Sequence, residues 1–381
     1  MKIVIACDSF KGCLTSKEVA SCIEKGIHNQ DINHNVISYV IGDGGEGTVD
    51  AFYETCHGTM VEVDCLDAYM HRIKAPITLI EDGQTAVIEV ANIIGLSMCE
   101  RSKRAPLFTS SYGVGMMIKA AVERGCKKII IGLGGSSTND GGMGVLMALG
   151  ARFYDENHKP LLSQALSLEK IKYIDLKRMH PFVGVELIAA CDVKNHLLGE
   201  QGATTIFGKQ KGLFPNQIKK IERGMANYRY QLLRYTNIDI DAFEGGGAAG
   251  GIGSILIGLL HAQMIPGIEL LLRYSDMEEK IKECDLLITG EGQSDRQTKY
   301  GKVPAGIIEI ANRYQKPTIC ISGALGLEYM DLYELGFVGI YSIADRAMTF
   351  EQALSQAPAK LEAATYGIMK TISYFKESHE N

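Results

Sequence analysis

The chain has 381 residues, enough for two or three domains with two expected, and too many for a lone binding module. Hydrophobic residues make up 46% and charged residues 22%, which excludes disorder and collagen-like repeats. Lys and Arg total 39 against 45 Asp and Glu, and the net charge of −6 excludes counterion-driven nucleic-acid binding as the main activity. The 42 glycines, about 11% of the chain against a usual share of about 7%, point to loops that turn sharply or approach a ligand closely. Ten cysteines without a Cys-x-x-Cys pair read as buried, reduced thiols. The apolar run that begins at Ile3 stops at Asp8, shorter than the roughly 7 to 15 residues of a signal peptide, so a cytoplasmic protein is expected.

Short β-rich runs alternate with helical patterns. Lys2 to Cys7 predicts a buried strand, and Thr15 to Ile27 a helix with Thr15 and Glu18 at capping-box spacing. Asn35 to Ile41 is the next strand. Strands near Met60 to Asp64, Arg72 to Ile80 and Gln84 to Val90 form an antiparallel meander, with Asp82-Gly83 as its hairpin turn. Ser111 to Glu123 predicts a helix, Lys128 to Gly132 a strand, Gly142 to Leu149 a helix and Glu186 to Ala190 a strand. Gly245 to Ile268 carries no charged residue and is long enough to span a bilayer. Its eight glycines, with His261, Gln263 and Pro266, favour a glycine-rich loop followed by a buried helix. Strands at Asp285 to Thr289, Pro317 to Ile321 and Phe337 to Tyr341 resume a parallel βαβ pattern. The expected division is 1–65 plus 285–381 as one discontinuous α/β domain, with 66–284 inserted as a second.

In open α/β sheets ligands lie beyond the carboxyl ends of the strands, and five predicted strand ends here carry carboxylates. Asp8-Ser9-Phe10-Lys11-Gly12 follows the first strand, and Gly42 to Thr48, with Asp43 and Glu46, follows the second. Gly132 to Gly142, with Gly134, Gly135, Ser136, Ser137 and Thr138, is either a phosphate cradle at a helix N-terminus or a tight, well-capped turn. Cys191 to Asn195 contains Asp192, a candidate base beside Asn195 and His196. The last such loop runs from Thr289 through Glu291, Gly292 and Asp295 to Gly301-Lys302. Gly42 to Gly47 matches Gly-x-Gly-x-x-Gly, yet Asp43 and Glu46 would repel a pyrophosphate unless Mg²⁺ bridged them to it. Neither Gly301-Lys302 nor Gly208-Lys209 is followed by Ser or Thr, so no P-loop is present. Arg101, Arg104, Thr109 and Ser110 form a basic and hydroxyl cluster that could hold a small carboxylate or simply cap a helix. Carboxylates, lysines and glycine loops without a nucleophile–histidine pair point to phosphoryl transfer.

These stretches, together with Gly247-Ala248-Ala249-Gly250-Gly251 and Asp295-x-Gln297-Thr298-x-x-Gly301-Lys302-x-Pro304, resemble in residues and order the bacterial glycerate kinases of the type 1 family over essentially the whole chain. The resemblance implies transfer of the γ-phosphate of ATP to D-glycerate with Mg²⁺, 2-phosphoglycerate being the favoured product. It also implies two α/β domains, one flavodoxin-like with a mainly parallel sheet, and an active site in the cleft between them. Cys13, His196 and Lys209 depart from the family's usual serine, proline and proline, without removing a charged loop group.

Chemistry then suggests roles. Lys11, Asp192 and Asp8 are the catalytic candidates, and Ser9, Arg101, Arg104, Thr109 and Asn195 would bind the substrate. Gly134, Gly135, Ser136, Ser137, Thr138, Gly292 and Lys302 would hold ATP phosphates, with Asp43, Glu46, Glu291 and Asp295 at the metal. The expected partner is a small-molecule substrate, with no nucleic acid and no membrane, and a homodimer is left open. The competing readings are a GHMP-like kinase, suggested by Gly132 to Ser137, a nicotinamide oxidoreductase, suggested by Gly42 to Gly47, and a non-enzymatic nucleotide sensor.

Overall fold

The structure is a computed structural model that describes residues 1–42, 44–179, 184–299 and 302–380, the side chains of 377–380 apart. It opens with β1 (Lys2–Cys7), α1 (Ser16–Gln30), β2 (Asn35–Val40) and α2 (Thr48–Thr55). The middle of the chain holds β3 (Thr59–Leu66), β4 (Arg72–Ile80), β5 (Thr85–Glu89), α3 (Ala91–Ile94), α4 (Tyr112–Glu123), β6 (Lys128–Gly132), α5 (Met143–Ala148), β7 (Arg152–Tyr154), β8 (Tyr173–Asp175), β9 (Glu186–Ala190), α6 (Ala203–Phe207), α7 (Pro215–Thr236), α8 (Ala248–Gly258) and β10 (Gln263–Ile265). The remainder is α9 (Gly267–Arg273), α10 (Met277–Glu283), β11 (Leu286–Gly290), β12 (Gln293–Ser294), α11 (Val303–Arg313), β13 (Thr318–Ser322), β14 (Ala324–Leu325), β15 (Gly339–Ser342) and α12 (Phe350–Glu380).

The chain divides into two compact units. The first comprises Met1–Asp43, Asp50–Cys56 and Ile268–Asn381, the second Gly44–Val49 and His57–Gly267. Strand β3 therefore lies in the second unit, not with 1–65, because it pairs antiparallel with β4 along its whole length. Residues 268–284 lie in the first, where Asp276 accepts a hydrogen bond from the Tyr39 hydroxyl at 2.7 Å.

The first unit has a five-stranded parallel sheet in the order β15-β13-β11-β1-β2. Numbered along the chain this is 2-1-3-4-5, the flavodoxin-like order, which reverses direction between β1 and β11. Ile3, Val4, Ile5, Leu287 and Ile288 are fully buried, as continuous apolar strands covered on both faces should be. The Thr15–Glu18 capping box forms as expected at the start of α1. At the carboxyl end of β11 a Cβ on Gly290 would lie 1.9 Å from the Ile321 carbonyl oxygen, so only glycine lets β11 and β13 close there.

The second unit has a six-stranded mixed sheet in the order β10-β9-β6-β5-β4-β3, with β10, β9, β6 and β5 parallel and the β3–β4–β5 meander antiparallel. The turn between β4 and β5 is a short 3-10 turn over Glu81–Gly83, with Asp82 left-handed at φ 54°. The uncharged Gly245 to Ile268 stretch forms α8, buried along most of its length, then β10 and the start of α9. Among the described residues no helix is long and apolar enough to cross a membrane.

Replacing Gly290 with alanine should force β11 and β13 apart and cost about 1 to 3 kcal/mol of unfolding free energy. Gly367, on α12 with nothing within 4 Å of a built Cβ, should gain about 0.5 to 1 kcal/mol on the same change. Urea denaturation of the two variants checks both signs.

Candidate active site

The topological switch point of the first unit carries a pocket of about 440 Å³. The loop after β1 supplies Asp8, Ser9, Phe10 and Lys11, and the loop after β11 supplies Glu291, Gly292, Gln293 and Asp295. Lys302 and Lys360 add positive charge, while Ile343, Met348, Phe350, Leu354 and Ala357 give one wall an apolar lining. Volume and lining suit a ligand with an aromatic body and an anionic tail.

The β11 loop is held by Glu291, which is 4% exposed. Its Oε2 accepts from Lys302 Nζ at 2.8 Å, and its Oε1 accepts from Thr298 Oγ1 at 2.5 Å and Ser294 Oγ at 3.1 Å. Ser294 also meets Ser322 Oγ at 2.7 Å, tying the loop to the end of β13, and β12 pairs with β14 alongside. Burial pushes the neighbouring Cys320 thiol up to about 11. Asp8 is 7% exposed, with Oδ1 accepting the Ser9 amide at 2.7 Å while its own amide donates to Gly290 O at 2.9 Å. Asp295 caps the 3-10 turn Arg296–Lys299 by accepting the Gln297 amide on Oδ1, and takes Gln293 Nε2 on Oδ2.

The second unit holds the remaining candidates. Gly44 sits at φ +80° with Ala190 O 2.7 Å from where a Cβ would be, and Gly134 N donates to Gly44 O at 2.9 Å. Glu89, 2% exposed, accepts the amides of Gly47 and Val49 at 3.1 Å each. The β6 loop, Gly132 to Gly142, is sewn down. Asp140, fully buried, accepts from Ser111 N and Oγ and from the amides of Gly142 and Gly144. Burial raises the Asp140 pKa, and these hydrogen bonds oppose the rise. The amino end of α5 is thus closed by the protein's own carboxylate, so of the two sequence readings the capped turn describes this end of the loop. Ser137 donates to Ile94 O, and Gly135 is exposed.

Several expected substrate contacts are committed elsewhere. Arg104 spends its guanidinium on the carbonyls of Leu96, Cys99 and Gln210, so it ties loops together instead of clamping a carboxylate. Thr109 is fully buried and donates to Pro106 O, while Arg101 is exposed on a 3-10 turn. Asn195 donates to Gln201 O at 2.7 Å, and His196 Nδ1 lies 2.8 Å from Asp241 O. Asp192 is half-buried beyond β9. The phosphate-binding set divides, with Gly292 and Lys302 at the first unit's pocket and Gly134 to Thr138 in the second.

Asp43 and Gly301 lie outside the described residues, Glu46 is exposed in the second unit, and both oxygens of Glu291 are taken by side-chain donors. Among the described residues no group of three His, Cys, Asp or Glu side chains converges as a metal site. Asp295, which lines the pocket, is a metal candidate placed there, and one or two carboxylates are the usual protein share of a Mg²⁺ shell completed by phosphate and water.

Sequence reasoning did not single out Ser294, Ser322, Lys360 or Lys211. Ser294 lies inside the loop from Thr289 to Lys302 and Lys211 two residues after Lys209, whereas nothing in the sequence marks Lys360 among other helix-surface lysines. Lys211 is 3% exposed and donates to Ser136 Oγ at 2.9 Å and Thr138 O at 2.6 Å.

Doubly wound order, a strand-end pocket of anionic and cationic side chains and glycine-closed loops define an α/β enzyme suited to a phosphorylated ligand. The Glycerate kinase family model matches residues 3–373, and the chain belongs to the glycerate kinase family. The chain is 38% identical to a glycerate kinase of Halalkalibacterium halodurans, covering 99% of both chains. It is 37% identical to a glycerate 2-kinase of Escherichia coli, covering 98% of both. A crystal structure from Salmonella typhimurium, provisionally named a glycerate kinase 2, superposes with a TM-score of 0.82 at 36% identity and 99% coverage of both chains.

Burial pulls the Lys211 amine down from its ordinary 10.5 to about 7, with Asp140 opposing. Between those values the unfolded chain holds a proton that the folded chain has released, so this group makes stability rise with pH from about 7 to 10.5. The difference in unfolding free energy between the unsubstituted protein and Lys211→Met should climb across that window by up to about 1.4 kcal/mol per pH unit. Urea titrations at pH 7.5, 8.5 and 9.5 measure it.

Proposed function

We propose that this chain is an ATP-dependent glycerate kinase of the type 1 kind, phosphorylating D-glycerate with release of ADP, 2-phosphoglycerate being the favoured product. The observation that carries the reading is the pocket at the β1/β11 switch point, where Lys11 and Lys302 meet an apolar wall. The purine of the donor would lie against Ile343, Met348 and Phe350, and its phosphates would face Lys11, Lys302 and the Gly292 backbone. Mg²⁺, which the reaction class implies, would be held by Asp295 together with phosphate oxygens and water, and would neutralise charge developing on the phosphate oxygens. Glu291 keeps Lys302 aimed at that end of the pocket.

Phosphoryl transfer asks the protein chiefly for position and charge. Lys11 supplies charge where the γ-phosphate would sit. For the group that takes the hydroxyl proton, the sequence ranks Asp192 ahead of Asp8. Asp8 shares the pocket with Lys11, and that observation favours Asp8 as the base.

Purified protein should consume ATP only when D-glycerate and Mg²⁺ are both present, with phosphorus NMR finding 2-phosphoglycerate. Folded protein that turns over nothing at millimolar substrate sinks the reading.

Lys11→Met should lower kcat by on the order of 100-fold with little change in thermal stability. Asp8→Asn should lose about 10² to 10⁴ in kcat, and Asp192→Asn much less. The reverse ranking returns the base to Asp192.

A further inference from the structure

Lys211 is an amine buried in the second unit beneath the β6 loop, and burying a cation carries a large cost that the fold must offset. The structure gives it two acceptors, Ser136 Oγ and Thr138 O, for three N–H donors. The charge acting on it is that of Asp140, whose carboxylate is already bound by Ser111, Gly142 and Gly144. In the same loop Thr138 Oγ1 and Asn139 Oδ1 are buried without a hydrogen-bond partner, in residues that are themselves fully buried. A loop made only to be a tight turn would have little use for an amine and two unsatisfied polar atoms at its core.

The hydrogen-bond direction at Ser136 suggests their use. Its oxygen accepts from Lys211, so its own proton points away from the lysine. Gly135, immediately before it, is exposed. We propose that Lys211 is a positioning residue, which from beneath the loop turns the Ser136 hydroxyl outward, making Gly135 and Ser136 an oxyanion-binding corner for an acidic or phosphorylated substrate. This rests on the kinase reading and adds to it the group that gives the β6 loop its attraction for anions. The shared chemistry is an oxyanion, whether the carboxylate of glycerate or a phosphate of the nucleotide.

The test uses Lys211→Met, Lys211→Arg, Ser136→Ala and the double variant Lys211→Met with Ser136→Ala in steady-state assays, varying D-glycerate and ATP in turn. A hydrogen bond to an anion is worth about tenfold or more in affinity. Lys211→Met and Ser136→Ala should therefore each raise the KM of one and the same substrate by that factor, with kcat changed less. The double variant should be no worse than either single one, because both remove the same contact. Lys211→Arg, which keeps an N–H donor, should recover part of the loss. A rise in the glycerate KM identifies the carboxylate, and a rise in the ATP KM a phosphate. Unchanged KM values for both substrates, or independent effects that multiply in the double variant, overturn the proposal. If Lys211→Met does not fold, Ser136→Ala decides alone through thermal-shift titrations with D-glycerate and with tripolyphosphate. Loss of response to one anion supports the corner, and an unchanged response to both refutes it. Absence of glycerate-dependent turnover in the unsubstituted protein would instead remove the kinase reading.

Discussion

The first unit depends on one buried carboxylate. Glu291 would be costly in an apolar strand end, yet three side-chain donors meet it there, and removing any one would leave charge or hydrogen-bonding capacity unsatisfied. Those donors come from β12, from the 3-10 turn after it and from the residue before α11, so the described residues of the β11–α11 connection fold around the carboxylate. Ser294 passes the constraint on to Ser322 at the end of β13. Gly290 permits the close approach that makes these bonds possible. The pocket owes its shape to this network, because Lys302 is fixed at one side of it and the Asp8 loop rests against Gly292 at another.

The second unit applies similar physics to a different loop. Asp140 draws the amides of Gly142 and Gly144 and the Ser111 hydroxyl onto itself, so the β6 loop turns tightly without help from solvent. Lys211 enters from the segment between α6 and α7 and grips the loop's hydroxyl and carbonyl side. A buried carboxylate and a buried amine in one loop oppose each other's desolvation only in part, which is why the amine loses so much basicity.

Much of this was legible in the sequence. Continuous apolar runs predict the parallel strands, and the Thr15–Glu18 spacing predicts the start of α1, because both depend on local chemistry. The loops that carry chemistry were found by their glycines and carboxylates. What each side chain does was less legible. Glu291 reads as a metal ligand until Ser294, Thr298 and Lys302 are seen to saturate it, and Arg104 reads as a carboxylate clamp until three carbonyls are found around its guanidinium. Such roles depend on partners up to 106 residues away, as for Arg104 and Gln210, and no local pattern encodes them. The boundary at β3 was misplaced for the same reason, since a strand belongs with whichever neighbour it pairs.

The central claim is that the pocket between the β1 and β11 loops receives the nucleotide. Hydrogen exchange followed by mass spectrometry, with and without Mg²⁺·ATP, tests it without relying on turnover. The account predicts slowed exchange in peptides spanning residues 8–14, 290–299 and 343–357. Slowed exchange confined to peptides of the second unit, with these three unchanged, would contradict it.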